Sequence, residues 1–319
     1  MRRIALVLLV ALIGALATEA AAAKKPPADG PRMTLSIQSG LVAEGRNYVG
    51  QGQKVILEGR TRPYVPGQEA VVEVFTGRKL VVRRRVPITK AKATGGQFVA
   101  RFVARKKGRY TIKATHRQSP TQEWFAARTS LHSIKPSTSR GSRGAMVKLL
   151  QRGLRGHAYV APLSGTYDDA TTRGVIAFQK VNGMARTGRA NGAVYGALLR
   201  RSGGFRLRYP KAGKHVEFDW SRQVLVLARN GRPERIYHTS SGKASTPTVF
   251  GTFRFYRKDL GTNSIGMVHS AYFIRGYAIH GYHSVPIYPA SHGCLRVPIP
   301  SALSIYKWID HGDTIFAYR

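Results

Sequence analysis

The sequence predicts a multidomain, mostly β chain with three parts: an N-terminal β-sandwich, a three-helix module, and a C-terminal β-rich mixed sandwich with one short helix. Three observations predict this fold class. Short runs of alternating apolar and polar residues fill 31–135, amphipathic helical spacing takes over in 143–202, and short strand-like runs return in 212–319. A chain of 319 residues is long enough for two or three such domains.

The first 23 residues have the organisation of a secretory signal peptide. A basic Met1-Arg2-Arg3 precedes an apolar run of 14 residues, Ile4 to Ala17, and small residues follow up to Ala23. The run is short for a membrane span, so we expect cleavage before Lys24. An uncleaved anchor is the alternative. The segment holds no cysteine that could carry a lipid, and membrane contact is expected only through this segment before cleavage.

The chain is strongly basic, with a formal net charge of +37, of which +18 falls within residues 24–140. A polyanionic partner follows from such a charge. An exported protein meets few nucleic acids, so we expect anionic cell-wall polymers as partners and no nucleic acid. The alternative is that the charge serves only solvation or reflects an arginine-rich genome. With one cysteine, the chain can form no internal disulfide.

Residues 31–135 are expected to form a small antiparallel sandwich, because turn signals such as Gly95-Gly96 separate its runs. The expected strands are Met33–Gln38, Lys54–Glu58, Ala70–Phe75, Leu80–Val86, Gln97–Ala104 and Tyr110–His116. The phrase Lys107 to Ile112 resembles the penultimate strand of bacterial immunoglobulin-like wall domains. That resemblance implies a fold and no chemistry, so the part is either an adhesive unit or a plain spacer.

The polar, Pro-containing stretch Ser133 to Ser142 is expected to act as a linker, with residues 136–142 between the domains. Helical spacing begins in the module 143–202. We expect helices over Met146–Leu154, Ala170–Val181 and Asn191–Leu199, the second of them capped by Asp168 or Asp169.

Several residues of this module stand in a recognisable order. Gln151, the turn Gly165-Thr166-Tyr167-Asp168, Phe178-Gln179, Gly183 and Thr187-Gly188 together resemble the peptidoglycan-binding domain 1 family. The resemblance implies binding of wall peptide or glycan and needs no metal. A generic helical bundle is the alternative.

The C-terminal part is expected to be mostly β. The expected strands are His215–Asp219, Gln223–Ala228, Arg235–His238, Phe253–Arg257, Ala271–Ile274 and Thr314–Tyr318. Asp219 to Arg222 and Asn230-Gly231 supply hairpin turns, and Asn-Gly favours a type I′ turn. A helix is expected over Pro298–Ile309.

The reactive side chains of the chain gather between Ala278 and Pro298. Cys294 is the only cysteine, and His280, His283, His292 and Arg296 accompany it. A nearby imidazole can deprotonate a thiol, which then attacks a carbonyl, so the cluster indicates cysteine acyl transfer. Three alternatives remain on these residues: a buried inert cysteine, a zinc site made by the three histidines and the cysteine, and histidines on a polar loop.

The phrase Ser291-His292-Gly293-Cys294-Leu295-Arg296, preceded by Ile279-His280-Gly281, resembles the signature of the L,D-transpeptidase (YkuD-type) catalytic domain. Ser240-Ser241-Gly242 and Thr246-Pro247-Thr248 resemble a segment along that family's cleft. The resemblance covers about 212–319. It implies Cys294 as nucleophile, His280 as base, the Gly281 carbonyl as its orienting partner, and an oxyanion pocket formed by His292, Gly293 and Cys294. Arg296 would support the loop or a substrate carboxylate.

We also expect Ser291, Tyr282 and Met267 to contact substrate, although core packing is the stronger reading for Met267. Tyr272 and Phe273 have the same two readings. Only ten residues separate His280 from Ser291, fewer than in many members of the family, so the shape of the intervening lid is open.

The sequence therefore predicts an exported cysteine L,D-transpeptidase of the cell wall or periplasm that needs no cofactor or metal. It would form 3→3 cross-links between peptidoglycan stem peptides and so contribute to wall organisation and cell shape. One alternative is an L,D-carboxypeptidase that uses the same residues. The others are a non-catalytic wall-binding protein and a metal-dependent peptidase.

Overall fold

The computed structural model describes residues 32–91, 95–116 and 124–319, so the expected signal peptide lies outside the described residues. The N-terminal part consists of β-strands. They are Arg32–Ile37 (β1), Leu41–Ala43 (β2), Arg46–Gly50 (β3), Lys54–Arg62 (β4), Glu69–Thr76 (β5), Lys79–Pro87 (β6), Thr89–Lys90 (β7), Gly96–Val103 (β8), Gly108–His116 (β9) and Phe125–Ile134 (β10).

These strands form two sheets, in the orders β1-β4-β8-β7 and β2-β3-β10-β9-β5-β6. The predicted sandwich is thus confirmed, and all six expected strands are present. The core between the sheets is apolar and includes Leu57, Val74, Phe98, Ile112 and Leu131. Strand β8 buries every second residue, as its alternating sequence predicts for a strand with one face on a core.

Strand β10 corrects the expected start of the linker. Ser133 and Ile134 end this strand, in which β10 pairs antiparallel with β9 and parallel with β3. The segment that follows packs against the helical module. Thr138 forms a bridge with Ala190, and the Thr138 hydroxyl lies 2.9 Å from the Tyr195 hydroxyl. The polar composition therefore marks a junction that is fixed by hydrogen bonds.

The module contains the three expected helices, Ala145–Gly156 (α1), Asp169–Val181 (α2) and Gly192–Leu199 (α3). Asp168 caps α2, because its carboxylate accepts from the Thr171 N–H at 2.8 Å, and Asn191 caps α3. The glutamine of the family pattern in α1, Gln151, is fully buried and ties the turn before α2 to α1 by accepting from the Gly165 N–H and donating to the Thr166 carbonyl.

The C-terminal part is β-rich with one helix. It contains His215–Asp219 (β11), Val224–Arg229 (β12), Arg232–His238 (β13), Gly251–Arg254 (β14), Arg257–Thr262 (β15), Val268–Ile274 (β16), Tyr277–Tyr282 (β17), Leu295–Pro298 (β18), Ile299–Trp308 (α4) and Thr314–Tyr318 (β19). The expected strand Phe253–Arg257 is wrong as a single element, because β14 and β15 belong to different sheets. The Asn230-Gly231 turn has φ values of 51° and 74°, as a type I′ turn requires.

The two sheets of this part have the orders β13-β12-β11-β19-β14 and β15-β16-β17-β18. Their facing sides share an apolar core that includes Phe218, Leu225, Phe273, Ile279 and Ile315. Helix α4 follows β18 directly and packs on β16 and β17. In the second sheet β17 and β18 run parallel, which places the histidine-bearing and cysteine-adjacent strands side by side.

The three parts share one apolar cluster. Tyr48 of the sandwich, Leu150 and Leu198 of the module, and Val226 and Ile236 of the C-terminal part all belong to it. The module is therefore packed between its neighbours. Within the described residues no helix is both long and apolar enough to cross a membrane.

Candidate active site

The parallel pair β17 and β18 brings the predicted reactive residues together. In its register His280 lies beside Arg296 and Ile279 beside Leu295. Cys294 immediately precedes β18, so one step back along the register it lies beside Ala278. Side chains two residues apart on a strand share a face. The side chains of Cys294 and His280 therefore emerge from the same face of the sheet on neighbouring chains.

His280 is buried, with only 3% of its surface exposed. Its Nδ1 lies 2.9 Å from the carbonyl oxygen of Gly281, which can only accept a hydrogen bond, so Nδ1 carries the proton. The other nitrogen, Nε2, then holds the free lone pair of the neutral ring. Burial, together with the nearby charge of Arg296, lowers the pKa of His280 to about 4, although the hydrogen bond to the Gly281 carbonyl acts in the opposite direction. The imidazole is a neutral base at pH 7.

Cys294 is partly exposed and packs against the small apolar group of Met267, Tyr272 and Ala278. Burial raises the pKa of its thiol, while a backbone hydrogen bond from Ala278 and the charge of Arg296 act in the opposite direction. Within the described part of the chain, the hydrogen bond of the thiol runs to the Gly276 carbonyl oxygen at 3.6 Å and not to His280. The resting site is thus a neutral thiol beside a neutral imidazole.

The turn before Cys294 is held from inside by Ser291. Its hydroxyl donates to the Cys294 carbonyl oxygen at 2.6 Å and accepts from the Gly293 N–H at 3.1 Å. The Ser291 side chain is 1% exposed, and both of these bonds lie within the turn. The Gly293 N–H is engaged with the Ser291 hydroxyl.

Gly293 itself has a φ of 116°, a conformation that L-residues with side chains rarely adopt. A Cβ atom there would stand 2.0 Å from the ring of Tyr277. The glycine of the Ser-His-Gly-Cys phrase is therefore required by backbone angle and by contact together.

Two threonines hold the same turn from outside. The Thr248 hydroxyl donates to the Gly293 carbonyl oxygen at 2.7 Å and accepts from the Gly242 N–H at 2.9 Å. The Thr246 hydroxyl donates to the Ser291 carbonyl oxygen at 3.0 Å. These hydroxyls explain the Thr-Pro-Thr phrase, and sequence reasoning missed their roles. The phrase itself was the signal, but the two carbonyls of the catalytic turn that it binds lie 45 residues further along the chain.

The remaining predicted residues lie around this centre. The Arg296 guanidinium is stacked 4.2 Å from the centre of the Tyr282 ring, and that ring stands edge-on to His280 at 5.7 Å. Met267 and Tyr272 are buried beside Cys294, and the Arg257 guanidinium lies 3.9 Å from the centre of the Tyr272 ring. Arg257 was not singled out by sequence. Phe273 is buried in the core between the sheets.

Both other histidines of the cluster, His283 and His292, are exposed. Across residues 32–91, 95–116 and 124–319, no three His, Cys, Asp or Glu side chains come together in a group that could hold a metal ion.

Two parts of the chain are similar to known protein families. Residues 213–316 match the family model described as an L,D-transpeptidase catalytic domain, and residues 143–198 match that of a peptidoglycan binding domain. An L,D-transpeptidase structure from Xylanimonas cellulosilytica is similar at 33% identity with a TM-score of 0.54, covering 59% of this chain and 100% of that chain.

Two further structures show more distant likeness. An L,D-transpeptidase from Stackebrandtia nassauensis has 22% identity and a TM-score of 0.38, covering 58% of this chain and 98% of that one. An L,D-transpeptidase from Mycobacterium smegmatis has 11% identity and a TM-score of 0.30, covering 90% of this chain and 100% of that one. A search of the curated proteins found no match.

A first prediction concerns the Gly293 turn. Gly293→Ala should lower the free energy of unfolding by about 1–3 kcal/mol, because the new side chain is strained at this φ and meets Tyr277. Urea unfolding of the full chain measures it. Gly276→Ala is the matched control: a Cβ there meets nothing within 4 Å, so stability should be unchanged. Equal stability of the two variants would refute this reading of the turn.

A second prediction concerns the pH dependence of thiol reactivity. The pKa of His280 is lowered and that of Cys294 is raised, so both groups are neutral at pH 7. Alkylation of Cys294 by iodoacetamide should rise only on the alkaline side of neutrality. Arg296→Met removes a positive charge that lowers both pKa values, so the alkylation profile should move to higher pH, whereas Arg296→Lys should keep it nearly in place. A reactive plateau below pH 7 in the wild-type chain would contradict a neutral resting pair.

Proposed function

The chain belongs to the L,D-transpeptidase family, and from that premise we propose that it forms 3→3 peptidoglycan cross-links through a thioester on Cys294. One observation carries the proposal. Cys294 and His280 share a face of two adjacent parallel strands, and the bond between His280 Nδ1 and the Gly281 carbonyl leaves Nε2 free to accept a proton. A nucleophile, a base and an orienting group are the parts that cysteine acyl transfer requires.

In the acylation step the Cys294 thiol turns from the Gly276 carbonyl toward His280 and gives its proton to Nε2. Sγ then bonds to the carbonyl carbon that precedes the terminal D-alanine of a stem tetrapeptide. The tetrahedral oxyanion rests on backbone N–H groups of the turn. Because the Gly293 N–H is engaged with Ser291, we assign this role to the N–H groups of His292 and Cys294.

Collapse of this intermediate breaks the carbon–nitrogen bond, and the D-alanine nitrogen takes the proton from the His280 imidazolium. The thioester remains on Cys294. An amine of a neighbouring stem then attacks the same carbon and passes a proton to His280 as the carbon–sulfur bond breaks. Released thiolate recovers that proton, so the site returns to its neutral state.

The low pKa of His280 supports this cycle. An imidazolium formed in a buried site that disfavours charge is a strong acid, so it readily returns its proton to the leaving amine. The same burial makes proton removal from the thiol unfavourable in the resting site. We therefore expect deprotonation to occur together with attack on the bound carbonyl.

Arg296 and Tyr282 form the wall of the site beside His280, where the stacked guanidinium is suited to a substrate carboxylate. Met267 and Tyr272 supply an apolar wall beside Cys294. In this proposal Ser291 acts through the turn, and Met267 shapes the cleft from its packed position.

We propose the following division of the chain: a signal peptide over 1–23, an immunoglobulin-like sandwich over 31–135, a junction over 136–142, a peptidoglycan-binding module over 143–202 and a catalytic domain over 212–319. The two family matches support a peptidoglycan substrate and a location outside the cytoplasmic membrane. The basic sandwich would hold the enzyme against anionic wall polymers.

The test is mass spectrometry of products from disaccharide-tetrapeptide muropeptides. A dimer that lacks one D-alanine is the expected product. Cys294→Ala should abolish it, and His280→Ala should lower the rate by about 10²–10⁴ because a general base is lost. His292→Ala should leave measurable turnover, because that residue contributes its backbone N–H.

His311→Ala is the matched control, since His311 is an exposed histidine of the C-terminal part outside the proposed machinery, and it should retain activity. Tripeptide with free D-alanine in place of the dimer would identify an L,D-carboxypeptidase. Turnover that survives in Cys294→Ala would reject the thioester mechanism. A Cys294 that stays unmodified with every stem tested would favour a non-catalytic wall-binding protein.

A further inference from the structure

Two adjacent cavities lie on the sandwich and at its junction with the helical module. A cavity of about 890 Å³ lies at the junction, where Arg201 Nε donates to the Gly40 carbonyl oxygen at 3.1 Å and ties the two parts together. A second cavity, of about 500 Å³, lies on the sandwich between β6 and β8. Lys54 and Arg105 line both cavities, which makes them one surface that we call the basic groove.

The basic groove carries charge of a single sign. Nine cationic side chains line it, and among the described residues no carboxylate lines it and none of the nine forms an ion pair: Lys54, Lys79, Arg84, Arg101, Arg105, Lys106, Lys135, Arg200 and Arg201. Glu58 comes near by bonding to the lining residue Gln38 at 3.0 Å, but its other partner is Arg60, with which it forms an ion pair.

Clustered like charges without partners are unfavourable, because charges closer than the Debye length of about 8 Å repel one another at physiological salt. The protein retains them across two of its parts, and an anionic ligand would relieve this repulsion. Nine cations spread over two adjoining cavities match a chain with repeated negative groups better than a single small anion. Val81 and Val103 are about 40% exposed in the same groove, where they offer contact to C–H surfaces of a ligand.

We propose that the basic groove binds a linear polyanion whose negative groups repeat along a sugar or polyol backbone. Phosphodiester polyols and carboxylate-bearing glycan strands share this chemistry. The choice of a wall polymer rests on the proposed function, whereas the groove itself rests on its own geometry and charge. Bound polymer would orient the sandwich and the attached helical module together, because both contribute cations to the groove.

The experiment compares two variants of the full chain that lose the same charge. The groove variant is Lys54→Gln, Arg105→Gln and Lys135→Gln, three exposed residues. The control variant is Lys211→Gln, Arg232→Gln and Lys307→Gln, three exposed cations of the C-terminal part. Fluorescence anisotropy with labelled poly(glycerol phosphate), and separately with purified glycan strands carrying stem peptides, gives Kd across a salt series.

The groove variant should bind at least about tenfold more weakly. The slope of log Kd against log salt should fall by about 2–3, which is about one unit for each phosphate or carboxylate contact removed. The control variant should bind as the wild type does. The polymer that binds more tightly identifies the source. Equal weakening of both variants, or no binding of either polymer by the wild type, would overturn the proposal. Neither result depends on turnover, so a failed transpeptidation assay would leave this test intact.

A separate observation concerns the segment 283–290 between His280 and Ser291. Lys180 of α2 is 3% exposed, and its Nζ lies 2.8 Å from His238 Nδ1, 2.9 Å from the Thr239 carbonyl oxygen and 3.0 Å from that of Gln223. The Val285 carbonyl oxygen, 2.8 Å from His238 Nε2, can only accept a hydrogen bond, so Nε2 carries the proton and Nδ1 accepts from Lys180.

Arg186, which follows α2, reaches the same segment directly, donating from Nη1 to the Ile287 carbonyl oxygen at 2.7 Å. Two independent chains of hydrogen bonds thus run from the helical module to one active-site segment. We infer that Lys180 and Arg186 are positioning residues that fix segment 283–290 against the catalytic turn. The inference rests on the proposed function only for its effect on turnover.

Hydrogen exchange with mass spectrometry tests it without any substrate. Arg186→Ala should raise exchange in peptides that cover 283–290 by about tenfold while leaving the thermal midpoint within 1–2 °C, roughly the range of a surface change. Arg186→Lys should restore part of the protection. Arg189→Ala, an exposed neighbour, should change neither quantity. Lys180→Met should raise the same exchange and also lower stability, because three buried acceptors lose their donor.

Unchanged exchange of 283–290 in Arg186→Ala and Lys180→Met would overturn the inference. If exchange rises and the muropeptide assay of the wild type yields no product, the positioning role stands and the proposed function fails.

Discussion

The register between β17 and β18 is the constraint on which the site depends. Side-chain direction along a strand has a period of two, so a slip of one residue would turn Cys294 to the opposite face from His280. The register is fixed from outside the pair. Ser240 and Arg296 exchange two backbone hydrogen bonds, at 3.1 and 2.9 Å, and Thr239 Oγ1 donates to the Arg296 carbonyl oxygen at 2.7 Å. The alignment of Cys294 with His280 is thus fixed by residues 239–240, which hold β18 in place.

If the proposed function holds, the electrostatics of the pair suit a thiol enzyme outside a reducing compartment. Thiolate is the form that oxidises and reacts with disulfides, and burial holds Cys294 in the thiol form. Arg296 moderates this by lowering the pKa of the thiol, and it lowers the pKa of His280 as well. Arg296 therefore favours the thiolate form of Cys294 and also favours the neutral form of His280. The cost is that proton transfer must be coupled to substrate binding.

Elements whose burial leaves a pattern in the local sequence could be predicted, whereas contacts to residues far along the chain could not. The sandwich strands were predictable because each buries one face, which produces an alternation of apolar and polar residues such as that of β8. Strand β17 was missed because four consecutive residues, Ala278 to Gly281, are buried on both faces and leave no alternation. Strand β10 was missed because its polar end looked like a linker. Cys294 and His280 were found from residue type and motif, whereas Thr248 and Lys180 act through partners 43 to 59 residues away.

The shared core changes what the helical module can do. A module on a flexible linker raises the local concentration of ligand but leaves its orientation free. Here Leu150 and Leu198 of the module pack in one cluster with Tyr48 of the sandwich and Val226 of the C-terminal part, so orientation is fixed as well. A glycan held by the module would present its stems to the cleft from one direction only. Under the proposed function, the stems that can reach Cys294 would then be selected by geometry before any contact in the cleft, and specificity would depend on the module as well as on the catalytic domain.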